Sequence, residues 1–324
     1  MTKAAWIGAI IGAAASLPGC VASRPATPAP GVGEARPMTP GDAVLGVEAW
    51  TFEGVKGRAI TTRSFRIYTT SPDSATIARL PAFLDAALTH YRSALTPLPM
   101  PPAPMETYMM PSRPQWERLT RRLLGDRAGP YLRIVRGGFA AGGRAVYYDI
   151  GPRDSLLIAA HEGWHQYAQT TFKGSMPVWL DEGVATYMEG FRWDPDQPDR
   201  AVFLPWSNPE RFDRLRAAAS AGRLLPLAEL LATTPQAQIR RGSDEILAYY
   251  AQLWALIHFL NEGELGAHRA VLVGMLRDAA GGADVRSLDT SIAELDDAYR
   301  RFVRDITRPG ARNAVIAGRS PVSR

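Results

Sequence analysis

Apolar and polar positions alternate along residues 47–52 and 64–69, the period of half-buried strands, with a turn region expected at Gly54-Val55-Lys56-Gly57 between them. Residues 74–95 change to a helical period. Leu80, Phe83, Leu84, Ala87 and Tyr91 fall on one stripe, and Pro81 is expected to kink the helix or to mark its first turn. A proline-rich loop at 97–104 closes it. A strand at 106–110 and a helix at 115–124 follow, then a glycine-rich stretch at 137–143, a strand at 144–150 and a helix at 154–170 with Asp154 placed to cap it. A second helix is predicted at 177–188. Beyond an irregular, proline-containing region come helices at 209–221, 245–260, 267–280 and 291–305. Strands first and helices last predict an α+β fold: a small N-terminal sheet with a helix, then a core with an edge-bearing sheet and a mostly helical C-terminal half. The expected divisions are 45–110 and 111–310, with a flexible tail at 311–324.

The first residues follow a different logic. Lys3 precedes an apolar run at 4–17, the charged start and short hydrophobic core of a bacterial secretory signal over 1–20. The run ends in Leu17-Pro18-Gly19-Cys20, which resembles a lipoprotein processing site; Val21-Ala22-Ser23 offers ordinary cleavage as the rival. Export to the cell envelope is expected, with Cys20 acylated and holding the protein to a membrane surface. Residues 21–44, rich in Pro and Ala, read as a tether. Because Cys20 is the single cysteine, intramolecular disulfides and multi-thiolate metal sites are excluded.

A chain of 324 residues that is 46% hydrophobic buries a full core, so disorder is not expected. The net charge of +5 is compatible with an anionic partner. The arginines are spread along the chain without a long like-charge run, and nucleic acid is not expected as a partner.

The chemistry concentrates in His161-Glu162-Gly163-Trp164-His165. A spacing of four on a helix stacks the two imidazoles on one face, where they can share one cation, while Glu162 sits close enough to take a proton from water. A catalytic zinc needs a third protein ligand, and with no cysteine left the choice falls among His and carboxylates. Trp179-Leu180-Asp181-Glu182-Gly183 supplies two adjacent acids on the next helix. These residues resemble the gluzincin metallopeptidases, whose pattern is His-Glu-x-x-His followed by Trp-Leu-x-Glu-Gly. The resemblance spans about 144–260. It implies Zn²⁺ held by His161, His165 and Glu182, Glu162 as catalytic base, and hydrolysis of peptide or protein substrates. The segment Tyr250-Ala251-Gln252-Leu253-Trp254 is similar to the aminopeptidase helix whose leading tyrosine stabilises the transition state, which assigns that role to Tyr250, with Tyr249 as its rival. Two departures stand out. The stretch between His165 and Glu182 is shorter than in the aminopeptidases, and the glycine-rich 137–143 lacks the carboxylate that binds a free amine there, so the resemblance favours an endopeptidase. A scaffold that keeps the fold without turnover is the competing reading.

The remaining candidates have plainer readings. Asp181 is most simply a solvated charge at a helix start, and Glu189 is either a surface charge or a supporting partner of the metal site. Tyr250 shares a stripe with Trp254 and Ile257, as a core aromatic would. His258, His90 and His268 read as structural, and Trp164 and Tyr167 as packing the metal helix onto its sheet. The strand at 144–149 is the expected sheet edge for an extended peptide.

Overall fold

A computed structural model describes residues 43–72, 74–288 and 291–322. The expected signal segment, Cys20 and almost all of the tether lie outside the described residues.

Six strands, β1 (Gly46–Phe52), β2 (Val55–Thr61), β3 (Phe65–Thr69), β4 (Met105–Met110), β5 (Gly138–Ala141) and β6 (Arg144–Tyr148), form one sheet in the order β1-β2-β3-β4-β6-β5. The pairs β3–β4 and β4–β6 are parallel and the rest antiparallel. The sheet therefore does not divide at the 110/111 boundary read from the sequence: β4 on one side pairs with β6 on the other. Two strands of this sheet escaped the sequence reading. The turn is confined to Glu53 and Gly54, and the residues after it are β2. The glycine-rich stretch is β5 plus a tight turn at Gly142 and Gly143, both at positive φ (59° and 76°), the geometry of a two-residue hairpin. The strand expected at the edge, β6, is internal. The outer strand is β5, and its four residues are all buried.

Alternation along the strands gives the sheet two covered faces. Phe65, Ile67, Met109 and Tyr147 point into the main core beneath α1 (Ala75–Tyr91). Tyr108, Met110, Val146 and Tyr148 point the other way and meet Trp116 and Leu119 of α2 (Arg113–Leu124). Ser74 caps α1 by accepting from the Ile77 amide, and Pro81 lies inside the helix, not in its first turn.

The helices α3 (Pro152–Thr171), which carries His161 and His165, and α4 (Val178–Met188) follow. Asp154 does not cap α3: Gly151 is the flanking residue, Pro152 occupies the first turn, and Asp154 pairs with Arg136 at 2.9 Å. Trp164 and Tyr167 pack α3 against Tyr91 of α1.

A small hairpin of β7 (Phe191–Trp193) and β8 (Ala201–Phe203) leads to α5 (Pro209–Ser220), α6 (Leu227–Ala232), α7 (Pro235–Arg241) and α8 (Ser243–Glu262). Helix α8 is buried continuously from Tyr249 to Leu260 and forms the axis of the C-terminal half. Around it sit α9 (Arg269–Gly281), α10 (Ile292–Ile306) and α11 (Ala311–Ile316). The architecture is thus α+β, sheet and helix first and helices after. The tail expected to be flexible is packed through residue 322: Val315 is fully buried, Arg312 forks onto Asp213, and Ser320 donates to Glu262. No helix among the described residues is long and apolar enough to cross a membrane.

Candidate metal centre

Helix α3 presents His161 and His165 one turn apart toward α4, which carries Glu182 in its second turn. Three atoms converge. His161 Nε2 and His165 Nε2 are 3.3 Å apart, and Glu182 Oε2 lies 3.4 Å from the first and 3.5 Å from the second. This buried cluster can hold a metal ion. Glu162, next on α3, is fully buried, and neither of its carboxylate oxygens has a hydrogen-bond partner; the same is true of both Glu182 oxygens. Orphaned carboxylate oxygens in a protein interior are costly, so the cluster is built for a partner of positive charge.

Both imidazoles are steadied from behind. His161 Nδ1 is 2.8 Å from Glu189 Oε1, and His165 Nδ1 is 3.1 Å from Asp181 Oδ1, the latter off the line of a hydrogen bond. Trp164 Nε1 donates to the same Asp181 oxygen at 2.9 Å. A carboxylate at Nδ1 leaves Nε2 free to face an ion and fixes the ring's angle. Asp181, read as solvated, is in fact buried, and Glu189 is a buried group beside the His161 ring, not a surface charge.

The charge balance is local. Burial works against a charged His161, but Glu182 and Glu189 outweigh it and hold the ring up at about 9. His165 is also raised, because Asp181 and Glu182 overcome its burial. Burial would raise Glu182, yet His165 and His161 bring it down to about 2. Glu162 is the exception: burial dominates and pushes it up to about 7, with the two histidines pulling the other way. The protons drawn onto the imidazoles are the positive charge that a cation would supply in their place.

Sequence reasoning missed one part. Glu189 is held by Arg211 through two nitrogens and by Asn208 Nδ2 at 2.8 Å, both at the start of α5. Arg211 is itself buried. The only sequence signal is the Asn208-Pro209 helix start, which locates α5 but says nothing of the metal.

The two tyrosines differ. Tyr250 sets its ring edge-on to His161, with centroids 5.9 Å apart, and lies under the Arg211 guanidinium at 5.2 Å. Tyr249 has a buried hydroxyl without a hydrogen-bond partner, and the field of Glu182 adds to burial in raising its pKa. His258 is a core residue, stacked on Trp206 at 3.6 Å, with Nδ1 3.2 Å from Glu262. His90 and His268 lie outside the cluster.

Residues 157–280 match the model of a family described as a protein of unknown function, DUF1570. The matched stretch contains all three converging residues, Glu162, Glu189, Arg211 and both tyrosines. No curated protein and no solved structure matches the chain.

Proposed function

We propose that the protein is a zinc-dependent hydrolase of peptide bonds, of gluzincin type, acting in the cell envelope. The observation that carries this reading is the triangle of His161 Nε2, His165 Nε2 and Glu182 Oε2, with edges of 3.3, 3.4 and 3.5 Å and a buried, unpartnered Glu162 beside it. Ligand atoms around tetrahedral zinc, with bonds of about 2.0–2.1 Å, are about 3.3–3.4 Å apart. These separations support zinc as the ion of the site.

A zinc ion held there supplies Lewis acidity toward a carbonyl and makes a water more acidic. The chain does the rest. Glu162 accepts the proton of the attacking water and passes it to the departing amine. Tyr250, beside His161, donates a hydrogen bond to the developing oxyanion. Glu189 and Asp181 keep the imidazoles from turning as charge changes in front of them. The four central side chains are at most 1% exposed, so substrate entry requires a movement of the covering elements. Export and a lipid anchor at Cys20 complete the reading, and mass spectrometry of the mature N-terminus tests them.

Full burial also favours a second reading, a scaffold stabilised by an ion and without turnover. Against it stand three protein ligands among the described residues, where a closed structural zinc site has four, and a base with no hydrogen-bond partner among them. Metal analysis joined to cleavage of a broad peptide library separates the two. The first reading expects about one zinc per chain, lost in His161→Ala and Glu182→Ala, and cleavage that disappears in Glu162→Gln with zinc retained. Zinc without cleavage in any condition favours the scaffold; no metal after reconstitution removes both.

A further inference from the structure

The charge of this chain is not evenly distributed. Residues 113–136 contain seven arginines, no lysine, and two acids, Glu117 and Asp126; the remaining residues hold thirty basic and thirty acidic side chains. The whole net charge of +5 therefore resides in one short segment, α2 and the two turns after it. What reads along the sequence as scattered arginines is concentrated in one short stretch of the fold.

The segment is firmly mounted. Trp116, Leu119, Tyr131 and Ile134 are buried against the sheet, and Trp116 Nε1 donates to the Val146 carbonyl. Arg113 reaches back to the carbonyls of Leu132, Ile134 and Val135, folding the second turn onto the start of α2. With these anchors facing in, the other arginines face out. Arg118 is taken by Glu53 and Arg136 by Asp154. Arg122, Arg127 and Arg133 are exposed and have no ion pair with a described residue, and Arg121 has only Glu117 at 3.7 Å. Apolar side chains lie among them: Val135 is 60% exposed, and Leu123, Leu124 and Leu132 are half-buried.

We infer that this arginine surface is a docking face for a bilayer rich in anionic phospholipid headgroups. Guanidinium forks match phosphate oxygens, and exposed aliphatic side chains beside them suit the headgroup–acyl boundary. A single-stranded nucleic acid fits less well, because the segment's aromatic residues, Trp116 and Tyr131, are buried and leave no ring for a base to stack on. The face does not depend on the metal centre or on the activity proposed for it.

The test is binding of the full chain to phosphatidylcholine vesicles and to vesicles of phosphatidylcholine mixed with phosphatidylglycerol, at low and high salt. Binding gained from the anionic lipid, and lost in salt, is expected. Replacing Arg121, Arg122, Arg127 and Arg133 by Gln, at roughly fivefold in affinity each, is expected to weaken that anionic increment by at least about a hundredfold. A control that removes the same charge elsewhere, Arg223, Arg240, Arg286 and Arg304 to Gln, is expected to keep most of it. All eight are exposed, and an unchanged thermal midpoint confirms folding in both variants. Equal loss in the two variants, no anionic increment in the parent, or a duplex oligonucleotide bound more tightly than the vesicles would each overturn the inference.

Discussion

Arg211 grips the Glu189 carboxylate with two nitrogens, Nη2 to Oε1 at 2.7 Å and Nε to Oε2 at 3.0 Å, while His161 Nδ1 lies 2.8 Å from that same Oε1. One carboxylate thus joins α5 to α3. Removing one member of a buried ion pair strands the other, at about 3–5 kcal/mol. Arg211→Met is expected to lose that much in urea denaturation, and Arg211→Met with Glu189→Gln is expected to recover a good part of it. A single variant as stable as the parent would contradict the arrangement.

Chelation is expected to lower the thermal midpoint. An ion that binds only the folded chain, at a free concentration about a hundred times its Kd, adds about 2.7 kcal/mol, which for a chain of this size is about 4–5 °C. Calorimetry with and without chelator measures the difference. In His161→Ala the chelator is expected to have no effect.

The adjacent tyrosines separate turnover from packing. Tyr250→Phe is expected to lower kcat by about a hundredfold with KM held, as loss of an oxyanion donor does. Tyr249→Phe removes a buried hydroxyl that has no partner, so turnover is expected to persist and stability to hold or rise by up to about 1 kcal/mol. Loss of turnover in Tyr249→Phe with Tyr250→Phe active would reverse the assignment.

The pH dependence of stability has a contributor outside the His161–His165–Glu182 cluster. Burial raises the Asp85 carboxyl above its ordinary range, offset in part by the Thr62 hydroxyl that donates to Oδ1 at 3.0 Å; Oδ2 has no partner. The folded chain therefore holds this proton more tightly than the unfolded chain. Its contribution to stability falls as pH climbs from the unfolded pKa through the raised folded one, and is level above. Asp85→Asn keeps an acceptor for Thr62 without the charge. Its thermal midpoint is expected to exceed the parent's at neutral pH, by about 1 kcal/mol in stability, and the gain is expected to vanish in acid.

Truncation after Pro309 tests the last helix. It removes the buried Val315, the Arg312–Asp213 fork and the Ser320–Glu262 hydrogen bond. A loss of about 2–4 kcal/mol is expected in denaturant titration, most of it from apolar burial.

What the sequence discloses depends on where the responsible contact lies. Helix α8 was legible because its period is long, and the ligands because a spacing of four on one helix is itself a geometry. Strands β2 and β5 were not. Gly57 falls in the expected turn region and Gly138 in the glycine-rich stretch, yet each sits inside a strand where a neighbour comes too close for a side chain: an added Cβ would collide with Thr69 O or meet Tyr147 Cβ at 2.7 Å. The sheet edge is hidden for a related reason: strand order is set by pairings across the sheet, and β5, which lies outside β6, has no strand signature in the sequence. Arg211 could not be found because its partner is reached only through the fold.

The position of Arg211 in the chain has a consequence for the order in which the centre can be assembled. A nascent polypeptide displays His161, His165 and Glu182 before α5 has emerged. Until Arg211 follows, Glu189 cannot be enclosed without leaving a carboxylate uncompensated, so it stays in water and His161 lacks its rear support. The ligands are thus available early, but the site they form closes only after the chain has been made well past them.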